Sequence, residues 1–199
     1  MKHISLPADE SAIRGLTVGD QVLVSGVMVT ARDAAHKYLV ENDDPDAKKV
    51  LAGSMIYHCG PVVAREEGAY RFVSAGPTTS EREEPYEAAV IRRYGVRGII
   101  GKGGMGARTL DALKTSGAAY LHAVGGLAVL LAKSVEKVEG VMKLEEFGVP
   151  EAMWIIRVRD FPAVVTMDSH GGNLHAEISR RSAERLHDLL APSPGDTGV

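Results

Sequence analysis

Three short segments set a cation beside small or hydroxyl-bearing residues: Val29-Thr30-Ala31-Arg32-Asp33, Gly76-Pro77-Thr78-Thr79-Ser80-Glu81-Arg82 and Gly101-Lys102-Gly103-Gly104-Met105-Gly106. In each, a β-like run ends, a polar or glycine-rich turn follows, and a helical pattern begins. Backbone N–H groups at a helix start favour an anion. A cation there opposes the helix dipole by ~0.3–1 kcal/mol, so three such placements point to an anionic ligand held between Arg32, Arg82 and Lys102. A guanidinium fork suits a planar carboxylate and an ammonium supplies a compact charge, so the set suits a small di-acid. The alternative for each cation taken singly is a solvated loop residue. Thr78 has two readings as well, an N-cap or a hydroxyl that takes part in proton transfer. As a base it needs help, because a free alcohol is far from the pKa at which general bases work, and nearby cations and N–H groups would have to favour its alkoxide.

The third segment is a literal G-x-G-x-x-G, which invites a dinucleotide-binding reading. That reading requires an acidic residue about 20 residues further on. No Asp or Glu occurs between Asp111 and Glu136, so it fails. A phosphate-binding P-loop fails too, because Gly103 rather than Ser or Thr follows Lys102. The single cysteine, Cys59, cannot close an internal disulfide or hold a [4Fe–4S] cluster by itself. In His58-Cys59-Gly60-Pro61 it reads as a small buried residue. No spacing of His, Cys, Asp and Glu suggests a structural zinc site, so no metal is assigned to this chain. His122 reads as a core or interface histidine and His170 as an exposed turn residue.

The elements that position these segments alternate along the chain. A short strand opens it. Residues 21–29 alternate as a strand weakened by Gly26, and Thr30 with Asp33 opens a helix over 31–41. Residues 42–46 are a loop, and 54–58 and 70–75 are strands. Ser80 with Glu83 forms a capping-box pattern for a helix to Tyr94, with apolar positions Tyr86, Ala89, Val90 and Tyr94 and a stop at Gly95. A strand at 96–100, a helix at 107–116, a strand at 118–124 and an apolar helix at 127–138 follow. In that last helix Leu127, Val129, Leu130, Leu131 and Val135 face the core or a subunit contact. Strands at 152–158 and 163–167, a turn at 169–172 and a helix at 179–190 complete the pattern. The fold class is α/β, a mixed sheet flanked by helices. One domain spans 1–190, and 191–199 form a disordered tail.

Composition narrows the function classes. The 199 residues are 45% apolar and 25% charged, with a net charge of −3 and a pI near 6.2. A weakly acidic chain is not built for nucleic acid or an anionic membrane. The N-terminus lacks the apolar stretch of a signal peptide, and the longest weakly polar run is about half of what a bilayer span needs. The expected location is cytoplasmic.

The three segments together, with Ala34-Ala35-His36-Lys37, Pro150-Glu151-Ala152-Met153-Trp154 and Asp168-Ser169-His170-Gly171, resemble the C-terminal region of class I fumarases over roughly residues 5 to 175. That region is the beta subunit of two-subunit fumarases and L(+)-tartrate dehydratases. The resemblance implies a swivelling β/β/α domain packed on an alpha subunit that holds a [4Fe–4S] cluster, in an α2β2 assembly. It implies a hydro-lyase that reversibly hydrates fumarate to (S)-malate and is active only with that partner. Arg32, Arg82 and Lys102 would anchor the dicarboxylate, Thr78 would be the base, and His36 would stand behind them. Tartrate or mesaconate as substrate, or a non-catalytic anion-binding module, are the alternatives.

Overall fold

The fold is described from a computed structural model over residues 1–66 and 68–190; the tail expected to be disordered, 191–199, lies outside the described residues. The chain runs β1 (Lys2–Ser5), α1 (Glu10–Arg14), β2 (Gln21–Thr30), α2 (Asp33–Glu41), α3 (Pro45–Leu51) and β3 (Met55–Tyr57). A hairpin of β4 (Val62–Glu66) and β5 (Ala69–Ser74) precedes a 3₁₀ turn at Ser80–Glu83 and α4 (Glu87–Tyr94). Then come β6 (Gly98–Gly101), α5 (Ala107–Ser116), β7 (Ala119–His122), α6 (Ala128–Ala132), β8 (Val135–Met142), α7 (Leu144–Phe147), β9 (Met153–Met167) and α8 (Leu174–Leu190).

The main sheet is mixed, in the order β1-β2-β3-β6-β7-β9-β8. Strands β1, β2, β3, β6 and β7 are parallel, and β9 runs antiparallel to β7. The C-terminal end of β9 lies along β7 while its stretch from Ile155 to Val164 pairs with β2, so β2-β3-β6-β7-β9 close on themselves. A five-stranded closed sheet is narrow enough for side chains to fill it. Val24, Met28, Tyr57, Leu121, Trp154 and Phe161 belong to the core on the enclosed face. Alternate residues Ile56, Ile99, Tyr120 and Met167 face outward against Leu39 of α2, Leu51 of α3, Val90 and Ile91 of α4 and Leu113 of α5. This period-two division follows from strand geometry.

Closure needs a bend in β2 and β9. Gly26 sits at φ +122°, where the pairing register shifts, and a Cβ there would lie 2.5 Å from the Leu6 carbonyl oxygen. Opposite the bulge, Asp160 takes φ +48° and its N–H donates to Ser25 Oγ at 2.9 Å. Gly26 is thus a bulge with a close backbone approach rather than a weak spot. Pro162 lies past the bend, paired with Leu23, and the two strands expected at 152–158 and 163–167 are one. The helix expected at 127–138 is instead the short α6 followed by β8, which pairs with β9.

A cation-lined candidate site at the strand ends

Parallel strands β2, β3 and β6 end side by side, and their following residues carry the predicted chemistry. Arg32 leaves β2 and precedes α2. Its side chain lies over Gly60, where a Cβ would stand 2.6 Å from Nη1, so glycine keeps that space open. Residues 77–80 thread between the ends of β3 and β6: the Thr78 N–H donates to the His58 carbonyl at 2.7 Å, the Lys102 N–H donates to the Thr78 carbonyl at 3.3 Å, and the Ser80 N–H donates to the Lys102 carbonyl at 3.0 Å. Pro77 bridges Cys59 and Thr79 bridges Lys102. Arg82 pairs with Asp33, the residue after Arg32. The fold therefore gathers Arg32, Thr78, Arg82 and Lys102 at one edge, and His36 lies beneath them. The carboxyl ends of parallel strands are the common ligand-binding edge of α/β sheets.

The Thr78 hydroxyl is buried and has no hydrogen-bond partner, and it caps no helix. Arg32 Nη2 lies 3.3 Å from Glu151 Oε1, whereas the Lys102 ammonium makes no ion pair among the described residues. Clefts lined by Tyr70, Arg71 and Glu136 and by Ile178, Arg185 and Leu189 lie away from this edge. They hold none of Arg32, Thr78, Arg82 and Lys102, so the open edge is taken as the candidate site.

One sequence expectation is corrected. The helix starts do not offer free N–H groups to a ligand. At α2, the Ala34 N–H donates to Glu151 Oε2 at 3.1 Å. At α5, Glu84 accepts from the N–H groups of Gly106, Arg108 and Thr109 at 2.8, 3.1 and 3.3 Å, and from the Thr109 hydroxyl at 2.6 Å. After Thr78 only a 3₁₀ turn forms, without a capping box, and Ser80 Oγ turns instead to His58 and Tyr120. Orphan N–H groups at helix starts demand acceptors, and here protein carboxylates supply them. Attraction for an anion rests on the three side-chain cations.

Under the site lies a buried polar chain. His58 Nε2 is 2.9 Å and His36 Nε2 is 3.1 Å from the same Glu87 oxygen, Oε2. His36 Nδ1 is 2.9 Å from the Arg32 carbonyl oxygen, and His58 Nδ1 is 2.9 Å from Ser80 Oγ, which accepts from the Tyr120 hydroxyl at 2.8 Å. His36, His58 and Glu87 are fully buried. Burial alone would push His36 down, but the Glu87 carboxylate, joined by Glu83 and the Arg32 carbonyl, outweighs it and holds the imidazole up at about 9. Burial likewise opposes ionisation of Glu87, and His36 outweighs it, holding the carboxyl at about 2. Burial lowers His58 and raises Glu83.

His58, Glu84, Glu87 and Tyr120 were not assigned roles from sequence, Ser80 was read only as a helix cap, and Glu151 only as part of a family-like motif. Glu87 left a signal: the buried face of α4 is Glu87, Val90, Ile91 and Tyr94, so a carboxylate occupies a core position of the helical repeat. Tyr86 and Ala89, read as apolar-face residues, are half-buried and exposed. Cys59 is buried and its thiol is pushed up to about 12 by that burial. His122 is half-buried and lowered by burial, and His170 is exposed, its Nε2 2.8 Å from the Arg14 carbonyl oxygen. Asp168 accepts N–H bonds from Val18, His170 and Gly172 and so ties a turn together.

Residues 1–178 match the family model described as Fumarase C-terminus. The chain is 51% identical over 190 residues to a putative fumarate hydratase class I of Geobacillus stearothermophilus, covering 95% of this chain but 36% of that longer protein. It is 40% identical over 181 residues to a putative L(+)-tartrate dehydratase subunit beta of Methanocaldococcus jannaschii, covering 89% of this chain and 93% of that one. It is 38% identical over 190 residues to the L(+)-tartrate dehydratase subunit beta of Escherichia coli K12, covering 95% and 94%. Cations gathered around an unpartnered hydroxyl at the strand ends, on a chain so matched, are those of a member: this protein belongs to the fumarase C-terminus family.

Proposed function

We propose that this chain is the beta subunit of a hydro-lyase that reversibly hydrates fumarate to (S)-malate. The observation that carries the reading is the convergence of Arg32, Arg82 and Lys102 on the edge where the Thr78 hydroxyl lacks a partner. Arg32 and Arg82 each hold a protein carboxylate, Glu151 and Asp33, which a substrate carboxylate would displace or bridge; Lys102 is available to a second one. Thr78 is the group on this chain placed to move the proton at the carbon next to the departing hydroxyl, with Lys102 favouring its ionised form.

An iron–sulfur cluster does not fit this chain. Its sole cysteine is buried and held protonated by that burial, whereas cluster ligands are thiolates. We assign the [4Fe–4S] cluster to an alpha subunit, with an α2β2 assembly, a swivelling β/β/α domain over 1–190 and a cytoplasmic location. No helix among the described residues is long and apolar enough to cross a membrane. L(+)-tartrate is the second substrate reading, favoured by the two relatives that this chain matches nearly end to end.

The test is to purify the chain alone and with a cluster-bearing partner and assay malate, L(+)-tartrate and mesaconate. The chain alone is inert and the pair turns over one of these di-acids. Activity of the metal-free chain alone, or an inert pair with an intact cluster, refutes the reading. Within an active pair, Thr78→Ala lowers kcat at least ~100-fold, the usual scale for general acid–base groups, with little change in KM; a near-normal kcat removes Thr78 from the chemistry.

A further inference from the structure

The buried chain beneath the cations reaches every segment of the candidate site through a single carboxylate. Glu87 Oε2 contacts His36 and His58. His36 reaches the Arg32 carbonyl. The His58 main chain accepts from Thr78, and its ring meets Ser80, whose N–H holds the Lys102 carbonyl. We propose that Glu87 is a positioning residue for the dicarboxylate site, fixing the main-chain segments that bear Arg32, Thr78 and Lys102 relative to one another through His36 and His58. This rests on the functional reading given above.

The contacts favour one arrangement of protons. His36 Nδ1 faces the Arg32 carbonyl, an acceptor, and so carries a hydrogen. The ring also lies between two carboxylates, Nε2 3.1 Å from Glu87 and Nδ1 3.6 Å from Glu83, a setting that favours an imidazolium paired with the Glu87 anion. His58 donates from Nε2 to Glu87, so its Nδ1 accepts from the Ser80 hydroxyl, which in turn accepts from Tyr120. The direction of donation runs unbroken from Tyr120 to Glu87. Gly101 completes the fit, since a Cβ there would collide with Ser80 Oγ. The contacts of 2.9 and 3.1 Å to Glu87 are hydrogen-bond and ion-pair lengths.

Fully buried, unpaired charges are costly, and breaking one partner of a buried pair leaves the other uncompensated. Glu87→Gln keeps the shape but removes the anion that pairs with His36 and accepts from His58, so the contacts to both rings must re-sort. The segment carrying Arg32 is then free to shift, and the effect falls on substrate binding.

The experiment compares wild type, Glu87→Gln and Ser80→Ala in the complex with the partner chain, alongside imidazole ¹⁵N–¹H spectra and metal analysis of the full chain. Expected are a KM for the di-acid at least tenfold higher in Glu87→Gln with a smaller change in kcat, a severalfold higher KM in Ser80→Ala, and a doubly protonated His36 ring in wild type that is absent from Glu87→Gln. A purely structural role would reduce the amount of active enzyme and leave KM unmoved. An active wild-type complex whose Glu87→Gln variant keeps KM within twofold overturns the proposal. So does stoichiometric metal in the full chain, or a singly protonated His36. If Glu87→Gln does not assemble, Ser80→Ala decides, and an unchanged KM there is a refutation. A wild-type complex inert towards every di-acid overturns the functional reading itself, and the spectra then report on the proton arrangement alone.

Discussion

His36 and Glu87 form the most consequential residue pair in the molecule, and their linkage to pH has a definite sign. His36 titrates at about 9 in the folded chain against an ordinary 6.5, so its contribution is complete below about 6.5 and is lost as pH rises through 9. Glu87, held at about 2, contributes above its ordinary 4.5 and loses that contribution as pH falls through 2. Of the other groups facing the pair, Glu83 is raised by burial and His58 is lowered by it. The buried Cys59 thiol adds its own loss near and above pH 9. Between pH 7 and 8.5 the His36 contribution declines before that of the Cys59 thiol. At 1.36 kcal/mol per pH unit the loss there is about 2 kcal/mol, which is several degrees in Tm for a chain of this size. Calorimetry across that interval should show the decline in wild type and a flatter profile in Glu87→Gln; parallel slopes would mean that His36 is not the group that titrates. That Arg32, Arg82, Lys102 and Thr78 share one edge was suggested in the sequence by the parallel design of their three loops, although each cation alone also reads as a solvated loop residue and Thr78 as an N-cap. Glu87 was not legible there, because one carboxylate amid an apolar helix face looks like a solvated neighbour until the face is located.

At the level of elements, α5 shows how the protein disposes of a helix start beside its own ligand loop. Glu84 accepts four hydrogen bonds there, an interaction equivalent to an N-cap, whose loss costs about 1–2 kcal/mol. Glu84→Ala should lower the free energy of urea unfolding by about that amount, and Glu84→Gln, which keeps one acceptor oxygen, by less. An Ala variant as stable as wild type would show that solvent satisfies those N–H groups equally well. Elements with a local signature were readable: the alternation in β2, the Thr30 and Asp33 pair that opens α2, and the glycine stop after α4. The mixed α/β class followed from their interleaving. Helix α3 also left a signal, with Asp44 accepting from Asp46 and Ala47 and proline at the first turn, but Asn42 to Asp46 reads equally as a loop. Strand β8 was hidden for a different reason. Val135, Val138 and Val141 are partly buried against the core because β9 lies alongside, and a pairing partner that far along the chain leaves no trace in local periodicity. The same non-local closure made β9 a single strand despite Pro162.

The whole molecule presents its candidate site on an open edge, and its surroundings suit completion by another chain. Val124, Leu127, Val129 and Leu130 are exposed apolar residues around α6. The segment is anchored to the site, since the Ala75 N–H donates to the Ala128 carbonyl at 2.9 Å and Gly76 has room for no more than a contact with Ala128. If a cluster-bearing partner completes the site as proposed above, this apolar surface beside Thr78 is the contact we propose for it. Burial there would be worth about 25 cal/mol per Å² of apolar area. Charging the surface should weaken assembly without disturbing the core, because Leu131 and Ala132 and not these residues fill the interior. We expect Leu130→Asp to retain the wild-type circular dichroism and Tm of the isolated chain while raising the Kd for the partner at least tenfold, a shift of about 1.4 kcal/mol. Activity would then recover as partner concentration is raised, at a KM close to wild type. A variant that binds its partner normally would move the subunit contact elsewhere, and one that loses activity without recovery would place Leu130 in the site itself.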